Sequence, residues 1–180
     1  MDSHSELHRR RIDLVAFLGA LCLFLSTVEY LFPKPIPFMR LGLANLPIII
    51  SLNLLPFPYL MLLTLVKVAG QALVNGTLAS YVVLFSAAGS FTSVLAMYAA
   101  SRIPERYLSL VGVSLAGALA SNAMQVLLSI FFIFGENALL IAPLFLGIGT
   151  VSGLLIGMIA AGFVAQSRWY ALVEGIYAPQ

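Results

Sequence analysis

The sequence predicts an all-α membrane protein, a six-transmembrane-helix bundle whose N- and C-termini are both cytoplasmic. Hydrophobic residues make up 61% of the 180 positions and charged residues only 9%, whereas a soluble domain carries about 25% charged residues. Polar, proline and glycine positions divide the chain into six apolar segments. Most Lys and Arg residues flank these segments on one side of the expected membrane. The net charge of +2 gives no indication of a nucleic-acid partner.

Each apolar segment is expected to cross the bilayer once. The segments are Ile12–Phe32, Leu41–Leu55, Pro58–Asn75, Thr77–Ala100, Tyr107–Phe134 and Ala138–Ala165. The first holds about 20 residues, which is enough to span, and it lacks a signal-peptide cleavage site. The second is short and contains Pro47, so it is expected to be kinked or to begin earlier, near Pro35. The predicted organisation is a cytoplasmic tail over 1–11, one transmembrane domain over 12–167 and a second cytoplasmic tail over 168–180.

The placement of positive charge favours this topology. With a cytoplasmic N-terminus, the inner side carries six basic residues: Arg9, Arg10, Arg11, Arg102, Arg106 and Arg168. The outer side carries Lys34 and Arg40, and Lys67 lies within the third span. Six against two agrees with the positive-inside rule, although a five-span count would disturb the pattern only slightly. The expected location is the cell membrane of a prokaryote.

A row of polar residues in the third segment is the strongest indication of function. Lys67, Gln71 and Asn75 are spaced by four and therefore share one helical face. A charged side chain at membrane depth costs a few kcal/mol or more unless it is paired or hydrated. The row therefore predicts a polar cavity inside the bundle, and such a cavity suggests a bound or transported molecule.

Polar residues from other segments fall at a similar depth, in the outer half of the expected bundle. They are Glu29 at the end of the first span, Asn45 in the second, Asn122 and Gln125 in the fifth, and Glu136 in the last outer connection. Together with Lys34, Arg40 and the Lys67 row, these residues are the candidate substrate-binding set. An ammonium and several amides suit a ligand with an anionic or carbonyl-rich part. A mostly apolar ligand with a polar head is equally compatible.

Each of these residues also has a purely structural interpretation. The amides could simply join helices by hydrogen bonds worth about 0.6 kcal/mol each. Lys67 could pair with Glu29, and Lys34 and Arg40 could anchor the protein to lipid headgroups. The proline-rich connection over 33–40 could cover the cavity mouth as a lid, or it could be a stiff connector without ligand contact.

Small residues recur at intervals of four in three segments, which lets helix backbones approach closely. The first segment has Ala16 and Ala20. The fifth has Gly112, Ala116 and Ala120, and the sixth has Gly149, Gly153, Gly157 and Ala161. Each row could pack inside the bundle or dock a second membrane protein, and sequence does not decide between these.

Motifs for catalysis, metal binding or ATP hydrolysis are absent from the sequence. It has no phosphate-binding loop of the Gly-x-x-x-x-Gly-Lys-[Ser/Thr] type, no His-Glu-x-x-His helix and no Cys-x-x-Cys pair. Its two aspartates, Asp2 and Asp13, form no aspartate-rich motif for diphosphate chemistry. We therefore expect no enzymatic activity, no cofactor and no metal, and energy for transport would come from a partner or a gradient.

Two motifs resemble a known family. Residues 40–45, Arg-Leu-Gly-Leu-Ala-Asn, and residues 112–118, followed by Asn122 and Gln125, are similar to the second- and fifth-helix motifs of heptaprenyl diphosphate synthase component I, also called the Gx transporter family. Ser86, Gly89 and Ser90 fit as well, and the resemblance covers roughly 16–165. The family pattern has a histidine where this chain has Ser121, so the substrate or its affinity could differ here.

That family in turn resembles the substrate-binding subunits of energy-coupling-factor transporters. The resemblance implies a six-helix protein that binds a vitamin or related micronutrient from outside, in a cavity closed by the first outer loop. It also implies that Ala16 and Ala20 dock onto a transmembrane coupling subunit driven by two ATPases. Two other functions stay open. One is a membrane accessory role in polyprenyl diphosphate synthesis, and the other is a stand-alone secondary carrier that dimerises through the sixth-segment glycines.

Overall fold

The computed structural model describes residues 3–31 and 42–177, and this part of the chain is helical and contains no strand. Seven α-helices follow one another in the order α1 Ser3–Leu31, α2 Leu46–Ser51, α3 Phe57–Val74, α4 Tyr81–Ser101, α5 Leu110–Ser129, α6 Ala138–Gln166 and α7 Arg168–Tyr177. A 3-10 turn over Leu43–Asn45 leads into α2, and a π-helical stretch over Ile130–Phe134 followed by a 3-10 turn joins α5 to α6.

Local sequence explains several of these helix boundaries. The hydroxyls of Ser80 and Ser109 cap α4 and α5 by accepting the backbone N–H of Val82 and Gly112 at 3.1 and 3.4 Å. Pro47 lies in the first turn of α2, just after Leu46, where its missing N–H costs nothing, so it does not kink the helix. Gly42, which precedes the 3-10 turn, has a φ of 84°, a left-handed conformation that favours glycine.

Four helical stretches are long and apolar enough to cross a membrane: 6–29, 57–74, 81–101 and the run over 110–166. The last holds 57 residues and would extend about 85 Å as a straight helix, far more than the ~30 Å hydrocarbon core. It folds back at Gly135, and α5 and α6 pack side by side. The chain is therefore a multi-pass membrane protein with five long helices in the described ranges.

The long helices alternate in direction, but α1 and α3 run parallel. Ser26 contacts Gln71 near one end of this pair, and the His8 ring nitrogen lies 2.6 Å from the Tyr59 hydroxyl near the other. The chain must therefore run back in the opposite direction between the end of α1 and the start of α3. The Tyr177 hydroxyl donates to the backbone oxygen of Arg10 at 3.4 Å, so α7 lies beside the start of α1. We call this the terminal end of the bundle and the opposite one the distal end.

The second apolar segment makes that return, but not as the spanning helix that the sequence predicts. Its helical part runs from Leu43 to Ser51, nine residues that cover roughly 15 Å, about half of the hydrocarbon core. It is surrounded by other helices, and Ile48 and Leu54 are fully buried. Contacts with α1, α3, α5 and α6 replace the lipid that a spanning helix would meet. The expectation of a spanning helix over Leu41–Leu55 is therefore wrong for the described residues.

Three glycines of α6, Gly149, Gly153 and Gly157, lie against α5. A Cβ added to Gly157 would come 2.8 Å from the Val111 Cα, and one added to Gly153 would come 2.8 Å from the Ala118 Cβ. These glycines allow the close contact that joins the two helices. The sixth-segment row is thus an internal packing surface, and this corrects the idea that it could serve a dimer. In contrast, Ala16 and Ala20 are exposed on the outer face of α1.

The C-terminal helix α7 is amphipathic and packs on the terminal end of the bundle. Tyr170 is 3% exposed and its hydroxyl makes a hydrogen bond with the Asn53 side chain, while Trp169 contacts the rings of Phe17 and Phe163. Burial and the nearby carboxylate of Glu174 raise the pKa of Tyr170 to about 12. The predicted C-terminal tail therefore contains an ordered helix, and the predicted N-terminal tail is helical from Ser3.

Replacing Gly157 by Ala tests the close α5–α6 contact. The added methyl would meet the backbone of α5, so we expect the free energy of unfolding in detergent micelles to fall by about 1–3 kcal/mol. Gly162→Ala is the matched control, because a Cβ at Gly162 on the same helix meets nothing within 4 Å. That variant should be neutral or slightly more stable. Equal stability of the two variants would contradict the described packing.

Candidate functional site

A cavity of about 50 Å³ lies in the middle of the bundle. Its wall includes residues from α1, the 3-10 turn, α2, α3, α4, α5 and α6. Along α4 the lining extends from Val82 to Met97, about 22 Å at 1.5 Å per residue. A small volume spread over this length makes the cavity a narrow slot. Ten of its lining residues carry hydroxyl or amide side chains: Asn45, Gln71, Ser86, Ser90, Ser93, Ser114, Ser121, Asn122, Gln125 and Ser152.

Lys67 projects into this slot from the middle of α3 and is 3% exposed. Its ammonium donates to the Asn45 side-chain oxygen, in a short contact, and to the Ser90 hydroxyl at 3.3 Å. These bonds join α3 to the 3-10 turn and to α4. The short second segment is therefore tied to the long helices at the point where it enters the bundle.

Gln71 and Glu29 form the distal part of the lining. The Gln71 amide nitrogen donates to the Ser26 hydroxyl at 2.7 Å, which links α3 to α1. A carboxylate oxygen of Glu29 accepts the backbone N–H of Gly42 at 3.3 Å. Glu29 and Gln71 are 4% and 3% exposed. Both polar side chains are therefore buried inside the bundle.

Asn122 and Gln125 enter the cavity lining from α5. The Asn122 amide donates to the backbone oxygen of Phe145 at 2.6 Å, and the Gln125 amide donates to the Ser121 hydroxyl at 3.1 Å. A Cβ at Gly149 would collide with the Asn122 side chain. The glycine therefore makes room for the amide as well as for the backbone contact.

The predicted substrate-binding residues divide into three groups. Six line this same cavity: Glu29, Asn45, Lys67, Gln71, Asn122 and Gln125. Asn75 ends α3 and is half-buried, while Glu136 is exposed in the α5–α6 connection, and neither lines this cavity. Lys34, Arg40 and the connection over 33–40 lie outside the described residues. The shared location of the first group is a structural fact, and substrate binding by these residues stays a prediction.

Sequence reasoning missed most of the hydroxyls. Ser86, Ser90 and Ser93 lie on one face of α4 at spacings of four and three, and all three line the cavity. The motif resemblance included Ser86 and Ser90 but gave them no binding role. The spacing of serines inside an apolar helix was the available signal, since their hydroxyls avoid lipid when they share an inward face.

The arrangement is suited to recognition by hydrogen bonds. In the described ranges, no group of three or more His, Cys, Asp or Glu side chains could hold a metal ion. The lining contains one ammonium, one carboxylate and ten neutral polar side chains. Ligand pockets in proteins are typically about 300–1,000 Å³, so the slot must widen before it encloses an organic molecule.

The comparison with protein families agrees with the sequence motifs. The family model described as heptaprenyl diphosphate synthase component I matches residues 18–163, and the chain belongs to this family. The match includes all or part of every described helix of the bundle except α7, and it omits the first part of α1 and the last three residues of α6. No curated protein and no solved structure matches the chain.

The bond between Lys67 and Asn45 can be tested by a double-mutant cycle with Lys67→Met and Asn45→Ala. Removing either partner leaves the other group buried without this hydrogen bond, so the second substitution should cost less than it does in the wild type. We therefore expect a coupling energy of about 1–2 kcal/mol. The measurement is the free energy of unfolding in detergent micelles. Lys67→Met combined with Ser129→Ala is the control, because the Ser129 hydroxyl bonds within its own helix and lies off the cavity lining. Additive effects in both pairs would refute the described bond.

Proposed function

We propose that the chain is the substrate-binding membrane subunit of an energy-coupling-factor-type transporter. In this role it takes up a vitamin-like or other small organic micronutrient from outside the cell. The observation that carries the proposal is the convergence of buried and half-buried polar side chains from α1, the 3-10 turn and α3 to α6 on one slot. A protein that needed only stable helix packing would gain little from a shared internal cavity with ten hydroxyl and amide side chains in its lining.

The roles of the residues follow from their chemistry. Lys67 neutralises an anionic or carbonyl group of the substrate, and Asn45, Gln71, Asn122 and Gln125 orient it by hydrogen bonds. Glu29 lies at the distal part of the lining. The proposal places the remaining members of the predicted set, Lys34, Arg40, Asn75 and Glu136, at the cavity mouth, where they gate entry. Because the slot is narrow, binding requires the helices around it to separate, and substrate then stabilises the wider state.

The orientation of the bundle is part of the same proposal. Basic residues cluster at the terminal end: Arg9, Arg10 and Arg11 begin α1, Arg102 and Arg106 follow α4, and Arg168 begins α7. The ring of Phe57 at the start of α3 lies 4.8 Å from that of Tyr98 at the end of α4, which places those two helix ends together. The positive-inside rule then assigns the terminal end to the cytoplasm of a prokaryotic cell. The distal end, with Glu29 and Gln71, faces outside.

Coupling to an energy source is assigned to partners. The chain contains no nucleotide-binding loop, so ATPases and a transmembrane coupling subunit would supply the work. Ala16 and Ala20 are exposed on α1 beside Phe17, which is 56% exposed. Small side chains on a lipid-facing surface allow a partner helix to approach closely, and we propose that the coupling subunit binds here.

A second candidate function is favoured by the description of the family itself. A component of a heptaprenyl diphosphate synthase could be a membrane protein that recruits a soluble prenyl synthase, with the arginines of the terminal end as the binding surface. Co-purification separates the candidates, since ATPases and a coupling protein support transport and a prenyl synthase supports recruitment. Uptake by the chain alone in liposomes would instead favour a stand-alone carrier.

Ligand retention tests the proposed site. Mass spectrometry would quantify the small organic molecules that remain bound after purification of the intact protein. Lys67→Ala and Gln71→Ala should each reduce the retained amount by about tenfold or more, because each removes a polar group from the cavity wall. Gln166→Ala is the matched amide control, since Gln166 is exposed at the end of α6. Full retention by both cavity variants would remove the assigned site.

The proposed docking surface on α1 is tested by enlarging its small residues. Ala16→Leu combined with Ala20→Leu should reduce co-purification of a multi-pass membrane protein and its ATPase subunits by at least about tenfold, equivalent to 1.4 kcal/mol. Ala99→Leu is the control, because Ala99 is an exposed alanine on α4. An equal yield of partners from both variants would place the docking surface elsewhere.

A further inference from the structure

Ser86, Ser90 and Ser93 form a row of hydroxyls on α4, and two of these buried hydroxyls make no hydrogen bond within the described part of the chain. Ser86 and Ser93 are 7% and 1% exposed, and both line the slot. Within the described part of the chain, neither hydroxyl oxygen has a hydrogen-bond partner. A buried hydroxyl without a partner costs about 1–3 kcal/mol. Such groups are rare in folded proteins, and each one calls for an explanation.

Neighbouring serines show that this is not a general property of the helix. The Ser90 hydroxyl, which lies between the two, accepts from the Lys67 ammonium at 3.3 Å. The Ser101 hydroxyl on the same helix donates to the backbone oxygen of Tyr98 at 2.9 Å. A serine in a helix can therefore bond to its own backbone, as Ser101 does, while Ser86 and Ser93 leave their hydroxyls available in the cavity wall.

The spacing of these hydroxyls limits the shape of a molecule that could bind both. Ser86 and Ser93 are seven residues apart, about 10 Å along the helix axis, and Lys67 bonds to the row between them. A molecule that bonds to both hydroxyls must therefore be elongated, with hydrogen-bonding groups on either side of the part that meets the ammonium.

The rest of the lining disfavours an aromatic or isoprenoid molecule. Among the described residues, Phe85 is the one aromatic side chain of the lining, and its ring is 1% exposed, packs with Phe145 and meets the Tyr81 ring edge-on at 6.3 Å. It therefore offers no open face on which a flat ring could stack. A long apolar chain would leave the buried hydroxyls of Ser86 and Ser93 without partners.

We infer that the transported substrate is an elongated, non-aromatic molecule rich in hydroxyl, amide or carboxylate groups, and that Ser86 and Ser93 recognise its polar groups directly. This inference rests on the proposed function and narrows its substrate class. It gives Ser86 and Ser93 the role of substrate-binding residues, in addition to Lys67 and the amides.

The variants Ser86→Ala and Ser93→Ala should weaken substrate binding without lowering the stability of the substrate-free protein. Removing a partnerless buried hydroxyl should leave the melting temperature of the substrate-free protein unchanged or raise it. The same change should weaken substrate binding by about fivefold at each position, the usual effect of one lost hydrogen bond. Ser101→Ala is the matched control on the same helix. It should lower the melting temperature slightly, because it loses the bond to Tyr98, and leave binding unchanged.

The substrate class is tested with a defined mixture of compounds in detergent. Purified full-length protein is incubated with gluconate, glucitol, N-acetylglutamate, riboflavin, folate and geranylgeraniol, and the compounds retained after gel filtration are measured by mass spectrometry. We expect retention of at least one of the first three and none of the last three. The dissociation constants of the retained compound are then measured for the wild type and the three serine variants.

The outcomes separate a wrong substrate class from a failure of the proposed binding function. Retention of riboflavin, folate or geranylgeraniol in place of the aliphatic compounds would overturn the substrate class and leave the proposed binding function standing. Retention of no compound would overturn both. Unchanged affinity in Ser86→Ala and Ser93→Ala, or a melting temperature lowered as much as in Ser101→Ala, would overturn the recognition role of the two hydroxyls.

Discussion

A buried ammonium is the constraint around which this bundle is organised. Lys67 lies at the middle of a helix that is apolar enough to cross a membrane, and an unsolvated charge at that depth must find polar partners. Asn45 and Ser90 provide them from two other segments. Because Asn45 belongs to the 3-10 turn, the second segment has to enter the bundle at this level. The position of one side chain therefore helps to fix where three segments meet.

The polar side chains around the slot have two roles, helix joining and ligand recognition, and the contacts of each residue show which role it can have. Gln71 with Ser26, and Asn122 with the Phe145 backbone, join pairs of helices, as the purely structural interpretation of the amides expects. These bonds leave a wall of fixed polar groups, which is the usual requirement for specific binding. The hydroxyls of Ser86 and Ser93 hold nothing together. The amides thus join helices, while Ser86 and Ser93 remain available for a molecule that enters the slot.

The sequence was informative where one physical rule dominates. Membrane character, the position of the long helices and the inward orientation of Lys67 and Gln71 follow from apolar length and the cost of buried polarity. The shortness of α2 could not be predicted, because an apolar segment buried among helices has the same composition as one that faces lipid. The sequence placed Glu136 and Asn75 in the outer half of the expected bundle, together with the residues that line the cavity. Their position off the lining depends on where α3 ends and on how the α5–α6 connection turns, which only the folded structure provides.

The short second segment also has a consequence for biogenesis. A nine-residue helix leaves many backbone carbonyl and amide groups unpaired at its ends, and each costs several kcal/mol when it faces hydrocarbon. The segment contacts α1, which is synthesised before it, and α3, α5 and α6, which are synthesised after it. Three of its four neighbouring helices are absent when it leaves the ribosome, so the polar groups at its ends gain full shelter from lipid only once the later helices have been made. We therefore expect this segment to reach its final position after helices that follow it in the sequence.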